Sequence, residues 1–203
     1  MIKEAVLLRT ADRVSNYIQK YVKRAGAEKR EEALELFDNL YQFFPHWVIM
    51  TCPMMHPDIT YISKNSEHVF GYDNEFLLKN TRIEKYFSLV HPDDTQDLYE
   101  CFGFVHDHLE SVLPEEHNTI RTIFHYRLRK ADGQYMYMFD EKATLNLSGG
   151  NLYYALLRDI TAEKAFTGVK VEIFSQGQTL EKIKEFKPTS DKLSLSKREK
   201  ELV

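Results

Sequence analysis

The feature that most constrains this chain is a pair of long alternating runs on either side of Ala131-Asp132-Gly133. In residues 119–129, Ile120, Thr122, Phe124, Tyr126 and Leu128 share one side, and Arg121, His125, Arg127 and Arg129 share the other. A two-residue period is that of a strand with one buried face, and an A-D-G turn between two such runs marks an antiparallel hairpin. In residues 134–147 the odd positions Tyr135, Tyr137, Phe139, Ala143, Leu145 and Leu147 read as the inward face. Strict alternation then turns Glu141 inward among aromatics, as a bulge or strand end, or as an acid that lines a pocket and contacts a polar ligand. Ser148-Gly149-Gly150-Asn151 turns the chain again into a strand over 152–160. The 13 Phe and 12 Tyr suit aromatic-rich strands better than a bare helical bundle.

Around this meander the chain divides into four parts. Residues 1–44 read as a helical extension of two helices, 2–24 and 28–44, with Gly26 at their junction as a C′ glycine. The first carries Val14, Tyr17, Ile18, Tyr21 and Val22 at three- and four-residue spacing, a stripe that serves as a core face or as a dimer seam. Residues 45–162 form an α+β domain with a five-stranded antiparallel sheet and helices on one face. Its first strands fall at 47–52 and 58–63, short helical pieces follow to 87, and a helix opens at Pro92-Asp93-Asp94. That helix carries Leu98, Cys101, Phe102, Val105, Leu109 and Val112 on one stripe and stops at Pro114. Residues 163–192 are a linker, with an edge strand at Val169, Val171 and Ile173 and a helical turn or two at Leu180, Ile183 and Phe186. Residues 193–203 are a separate piece, in which Ser196 and Glu199 make a capping box.

Charge and cysteine usage narrow the function. Lys+Arg 27 against Asp+Glu 31 gives −4, so this chain lacks the basic balance of a nucleic-acid binder. No apolar run is long enough to span a bilayer, and the N-terminus has no uninterrupted apolar segment of a secretory signal. Cys52 and Cys101 are far apart, which suits a reducing compartment; a cytoplasmic location without a membrane is expected.

No residue set looks catalytic. There is no Gly-rich phosphate loop, no H-E-x-x-H and no G-x-S-x-G. His106 and His108 lie two apart on a helix and point to different sides, so they cannot share a metal. The inward aromatics Phe124, Tyr126, Tyr135, Tyr137 and Phe139, with Glu141, are the candidate lining of a small-molecule pocket, and also what a core of this size needs.

Four segments in order carry a resemblance to the PAS domain. They are Ile59-Thr60-Tyr61-Ile62-Ser63 with Asn65 and Phe70-Gly71-Tyr72, then Leu89-Val90-His91-Pro92-Asp93-Asp94, then residues 126–133, and finally Leu157-Arg158-Asp159-Ile160-Thr161. The chain departs at Tyr137, where many members have tryptophan. The resemblance implies a signal sensor that forms a homodimer, with which the Val14–Val22 stripe is compatible. A flavin photoadduct of the LOV type is excluded, because no cysteine lies between Cys52 and Cys101. No cofactor is required; haem, for which His68, His106 or His117 is a candidate ligand, and noncovalent flavin both stay open. Residues 195–203, L-S-K-R-E-K-E-L-V, resemble the opening helix of a LuxR-type helix-turn-helix. Together the two resemblances imply a transcription regulator whose PAS region passes ligand or partner binding to a C-terminal DNA-binding domain, incomplete here. The alternatives are a ligand-free dimerisation and protein-interaction module, or a haem- or flavin-bearing redox or gas sensor.

Overall fold

The computed structural model describes residues 27–51, 59–79, 86–147 and 150–188. The first helix, α1 (Ala27–Phe43), runs through A-E-K-R-E-E-A-L-E-L, where strong helix formers dominate and Lys29 pairs with Glu32 at 2.8 Å. The candidate dimer residues Val14, Tyr17, Ile18, Tyr21 and Val22 lie outside the described residues, as do Gly26 and 193–203.

Strands β1 (Trp47–Thr51) and β2 (Tyr61–Ile62) pair antiparallel, and two short helices follow, α2 (Ser66–Phe70) and α3 (Asn74–Lys79). Gly71 ends α2 at φ 76°, a left-handed conformation, and a Cβ there would lie 3.2 Å from that of Ala131. The long helix α4 covers Thr95–Ser111, a turn later than Pro92 suggests. Asp94 is its N-cap residue, but the carboxylate makes no capping bond. It turns instead to β3 (Ile120–Arg129), accepting the Arg127 backbone N–H at 2.8 Å and gripping the Arg127 guanidinium. A 3-10 turn (Pro114–Thr119) leads into β3, which is followed by β4 (Tyr135–Leu147) and β5 (Gly150–Asp159).

The sheet has seven strands, not five, in the order β2-β1-β5-β4-β3-β6-β7, with every neighbouring pair antiparallel. The additional strands are β6 (Lys170–Gln176) and β7 (Leu180–Phe186). After β5 the chain crosses β4: Ile160 N–H donates to Tyr137 O (2.8 Å), Tyr137 N–H donates to Thr161 Oγ1 (2.8 Å), and Phe166 stacks on Tyr137. That crossing brings β6 to the free edge of β3. The helical turn expected at Leu180, Ile183 and Phe186 is strand β7. The pairing shifts between Ile173 and Phe174, so Lys184 and Lys182 take successive partners and Ile183 is the extra residue. A bulge of this kind breaks the two-residue period and leaves a three-residue spacing that imitates a helix.

Both faces of the sheet are covered. The main core lies between one face and α2, α3 and α4, with Val48, Met50, Phe70, Leu98, Cys101, Phe124, Tyr126, Leu128, Met136, Met138, Leu157, Val171 and Ile173 buried in it. On the opposite face α1 buries Ala33 and Phe37 against Ile49 and Leu152, with Leu145, Leu147 and Tyr154 alongside. Tyr61 donates to Asp38 Oδ1 at 2.7 Å, tying α1 to β2.

With both faces covered, β4 takes the opposite orientation to the one expected, its outer side meeting α1 at Leu145 and Leu147 and Phe166 and Trp47 at Tyr137 and Phe139. Residues 135–140 read Y-M-Y-M-F-D, apolar at nearly every position, so periodicity does not choose a side. The core takes Met136, Met138 and Asp140, while Tyr135, Tyr137, Phe139 and Glu141 face the other way. Flexible methionines fill the irregular space beneath the helices, and the aromatics cover the outer face.

Candidate functional site

Reversing β4 brings an acid into the core. Asp140 is 1% exposed, opposite Phe124 on β3 and Leu157 on β5. Lys142, two residues along, shares its face, and the Lys142 ammonium lies 2.6 Å from both Asp140 oxygens. Tyr126 donates to Asp140 Oδ2 at 2.8 Å. With that proton committed, the 2.8 Å contact between the Tyr126 and Tyr86 hydroxyls is donated by Tyr86. A continuous string of charge-assisted and neutral hydrogen bonds thus runs Lys142–Asp140–Tyr126–Tyr86 across the core face.

Aromatic rings enclose the string. Phe102 of α4 stacks on Phe124 (centroids 4.5 Å), Phe87 meets Phe102 edge-on (5.5 Å), and the Lys142 ammonium sits 5.5 Å from the Phe124 centroid. Burial, followed by the charge of Asp140 and the hydroxyl of Tyr86, pushes the Tyr126 phenol well above its ordinary range, so it is held as a donor. The arrangement places an acceptor, an ammonium donor and hydroxyls, paired with one another, beside apolar rings in the core.

Of the expected pocket residues, Phe124 and Tyr126 belong to this enclosure and the other four do not. Tyr135 packs on His91 (4.4 Å) and Tyr137 on Phe166 (4.8 Å). Phe139 lies between Trp47, His125 and Arg158, and Glu141 pairs with Arg121 at 2.5 Å on the outer face. Sequence reasoning missed Tyr86, Asp140 and Lys142. The available signal was D-x-K within a strand: two opposite charges at i and i+2 share a face and can neutralise each other where that face is buried.

The candidate haem ligands His68, His106 and His117 each have surroundings of their own. His68 is exposed, His106 lies 3.9 Å from both Asp107 and Glu110, and His117 Nε2 donates to Leu109 O at 2.8 Å. Among the described residues no group of three or more His, Cys, Asp or Glu could hold a metal ion, and no helix is long and apolar enough to cross a membrane. Burial raises the Cys101 thiol far above its ordinary range, which makes it inert core filling.

Residues 59–155 match the family model described as PAS fold. Among solved structures, the N-terminal domain of a diguanylate cyclase with PAS/PAC sensor from Marinobacter aquaeolei is 17% identical, covering 58% of this chain and 98% of that one, with a TM-score of 0.42. The PAS domain of an HTR-like protein from Haloarcula marismortui is 20% identical over 64% of this chain and 99% of that one, TM-score 0.41. A sensory box histidine kinase/response regulator from Burkholderia thailandensis E264 is 19% identical over 62% and 86%, TM-score 0.42. No curated protein matches the chain.

Proposed function

We propose that the PAS fold over residues 59–155 is the signal-sensing part of a DNA-binding transcription regulator, and that the signal is a small polar molecule received at Tyr86, Tyr126, Asp140 and Lys142. The observation that carries this reading is the buried ion pair. Two opposite charges in a core are commonly no more stabilising than well-packed apolar residues, so their presence favours a recognition role over a purely structural one. The resemblance of residues 195–203 to the first helix of a LuxR-type helix-turn-helix supplies the output: ligand binding shifts a two-state equilibrium and so repositions paired DNA-binding domains. A homodimer fits this scheme, because half-site spacing makes relative position consequential.

Native mass spectrometry with an absorbance spectrum tests the signal. An added mass stoichiometric with the protomer, lost when Asp140→Leu and Lys142→Met are combined, supports it. A bare protomer mass in the wild-type chain purified directly from its source cells moves the reading to a ligand-free interaction module. Absorbance of haem or flavin replaces the polar signal with a redox or gas sensor.

A further inference from the structure

The hairpin of β6 and β7 lies beyond the segment that matches the family model, and its two strands are held very differently. Val169, Val171 and Ile173 are buried in the main core, the same cluster that holds Leu98, Cys101, Val105 and Leu109 of α4. β6 cannot leave without opening that core. By contrast, six of the seven residues of β7 are exposed, and Phe186 is only half-buried. β7 is also the outermost strand, paired on one side alone, and its pairing is interrupted by the shift at Ile173/Phe174.

What else holds β7 is a short set of side-chain contacts. Phe186 stacks on Phe104 of α4, with centroids 4.9 Å apart and planes at 11°. Lys184 donates to Nδ1 of the buried His108, also on α4, at 3.0 Å. Because an ammonium can only donate, His108 accepts as the neutral ring, with its proton on Nε2. A further ion pair, Lys182 to Glu172 (3.1 Å), joins β7 to β6 near the surface, where water competes, while Lys182–Glu185 (2.8 Å) and Lys187–Glu185 (2.6 Å) are local to β7 and the residue after it. Releasing β7 therefore breaks its one-sided ladder with β6 and one solvated ion pair, and uncovers the Phe186 ring, His108 and the buried Pro188 that follows, while Val171 and Ile173 keep β6 in the core.

We propose that β7 is a detachable output strand, docked on α4 through Phe104–Phe186 and His108–Lys184, so that the path of the chain after Phe186 depends on the state of the helix layer. α4 carries Phe102 against Phe124, the ring beneath Lys142, and carries Phe104 and His108 against β7. One helix thus touches both the Phe124 ring that flanks the polar string and the exit strand. The release of β7 stands on the hairpin's own contacts; its use as an output rests on the sensing role proposed above.

Hydrogen exchange on the 203-residue chain without added ligand separates the two. The amides of 181–186 should exchange at least about tenfold faster than those of 171–175, as local opening below global unfolding requires. Phe104→Ala should accelerate 181–186 by a further factor of about ten while 122–128 stay unchanged, since only a local contact is lost. Lys184→Met keeps the side-chain stem and removes the donor; it should act in the same direction should Phe104→Ala loosen α4 itself. Equal exchange of β6 and β7 in the wild-type chain, or acceleration of both strands together in Lys184→Met, overturns the proposal. A bare protomer mass in native mass spectrometry with the differential exchange intact would remove the ligand and leave the detachable strand standing.

Discussion

Replacing Lys142 by methionine isolates the energetics of the buried pair. Methionine fills nearly the same volume and removes only the charge. Asp140, 1% exposed, would then keep Tyr126 as its hydroxyl donor and lose the ammonium 2.6 Å from both oxygens. Breaking a buried pair from one side costs about 3–5 kcal/mol. For a domain of this size each kcal/mol moves Tm by about 2–4 °C, so the expected drop is roughly 6–20 °C. Asp140→Leu should cost less, about 1–3 kcal/mol, since the Lys142 side chain is 11% exposed and its flexible stem can carry the ammonium toward water. The combined variant should return to within about 1 kcal/mol of wild type, because an apolar pair replaces an ionic one. Urea unfolding of the four proteins gives the coupling energy directly. Additive losses, with the combined variant as unstable as the sum of the single ones, would refute the claim that the two charges exist for each other.

Two further outcomes follow from the same structure. Asp94→Ala removes the acceptor of both the Arg127 backbone N–H and its guanidinium, so the start of α4 loses a polar tie to β3; a fall in stability of about 2–4 kcal/mol is expected by urea unfolding, and a loss below about 0.5 kcal/mol would contradict it. Burial lowers the pKa of His108, with help from Lys184 and His117, and burial lowers that of His125, with Lys170 adding to it and Glu172 and Glu185 opposing. Each ring binds its proton less tightly in the folded than in the unfolded chain, so the unfolded chain takes up more protons on acidification and stability declines as pH falls through the ordinary histidine pKa of about 6.5. Urea midpoints at pH 7.5 and 5.5 should show this decline, reduced in His108→Asn; a midpoint that rises on acidification contradicts it.

Much of the fold was legible because its signals are local. The alternation in 119–129 placed Phe124, Tyr126 and Leu128 in the core, and the Ala131-Asp132-Gly133 turn set the hairpin that pairs Arg129 with Tyr135. β4 was misread because both of its faces are apolar, and only tertiary contacts decide which set goes inward: the helix layer over Met136 and Met138 on one side, and on the other α1 over Leu145 and Leu147 with Phe166 on Tyr137 and Trp47 on Phe139. The same reversal moved the inward acid from Glu141 to Asp140. Tyr86 was invisible for another reason: it meets Tyr126 from a turn 40 residues away, and no periodicity reports such a contact. The bulge at Ile183 hid β7, and with it the seventh strand.

The proposal that the region of residues 59–155 reports to a DNA-binding helix-turn-helix is tested most directly by immunoprecipitating the native protein with crosslinked chromosomal DNA from its own cells. Enrichment at discrete sites, redistributed when Asp140→Leu and Lys142→Met are combined at unchanged protein level, is the expected result. Recovery of the protein without enriched DNA would contradict it.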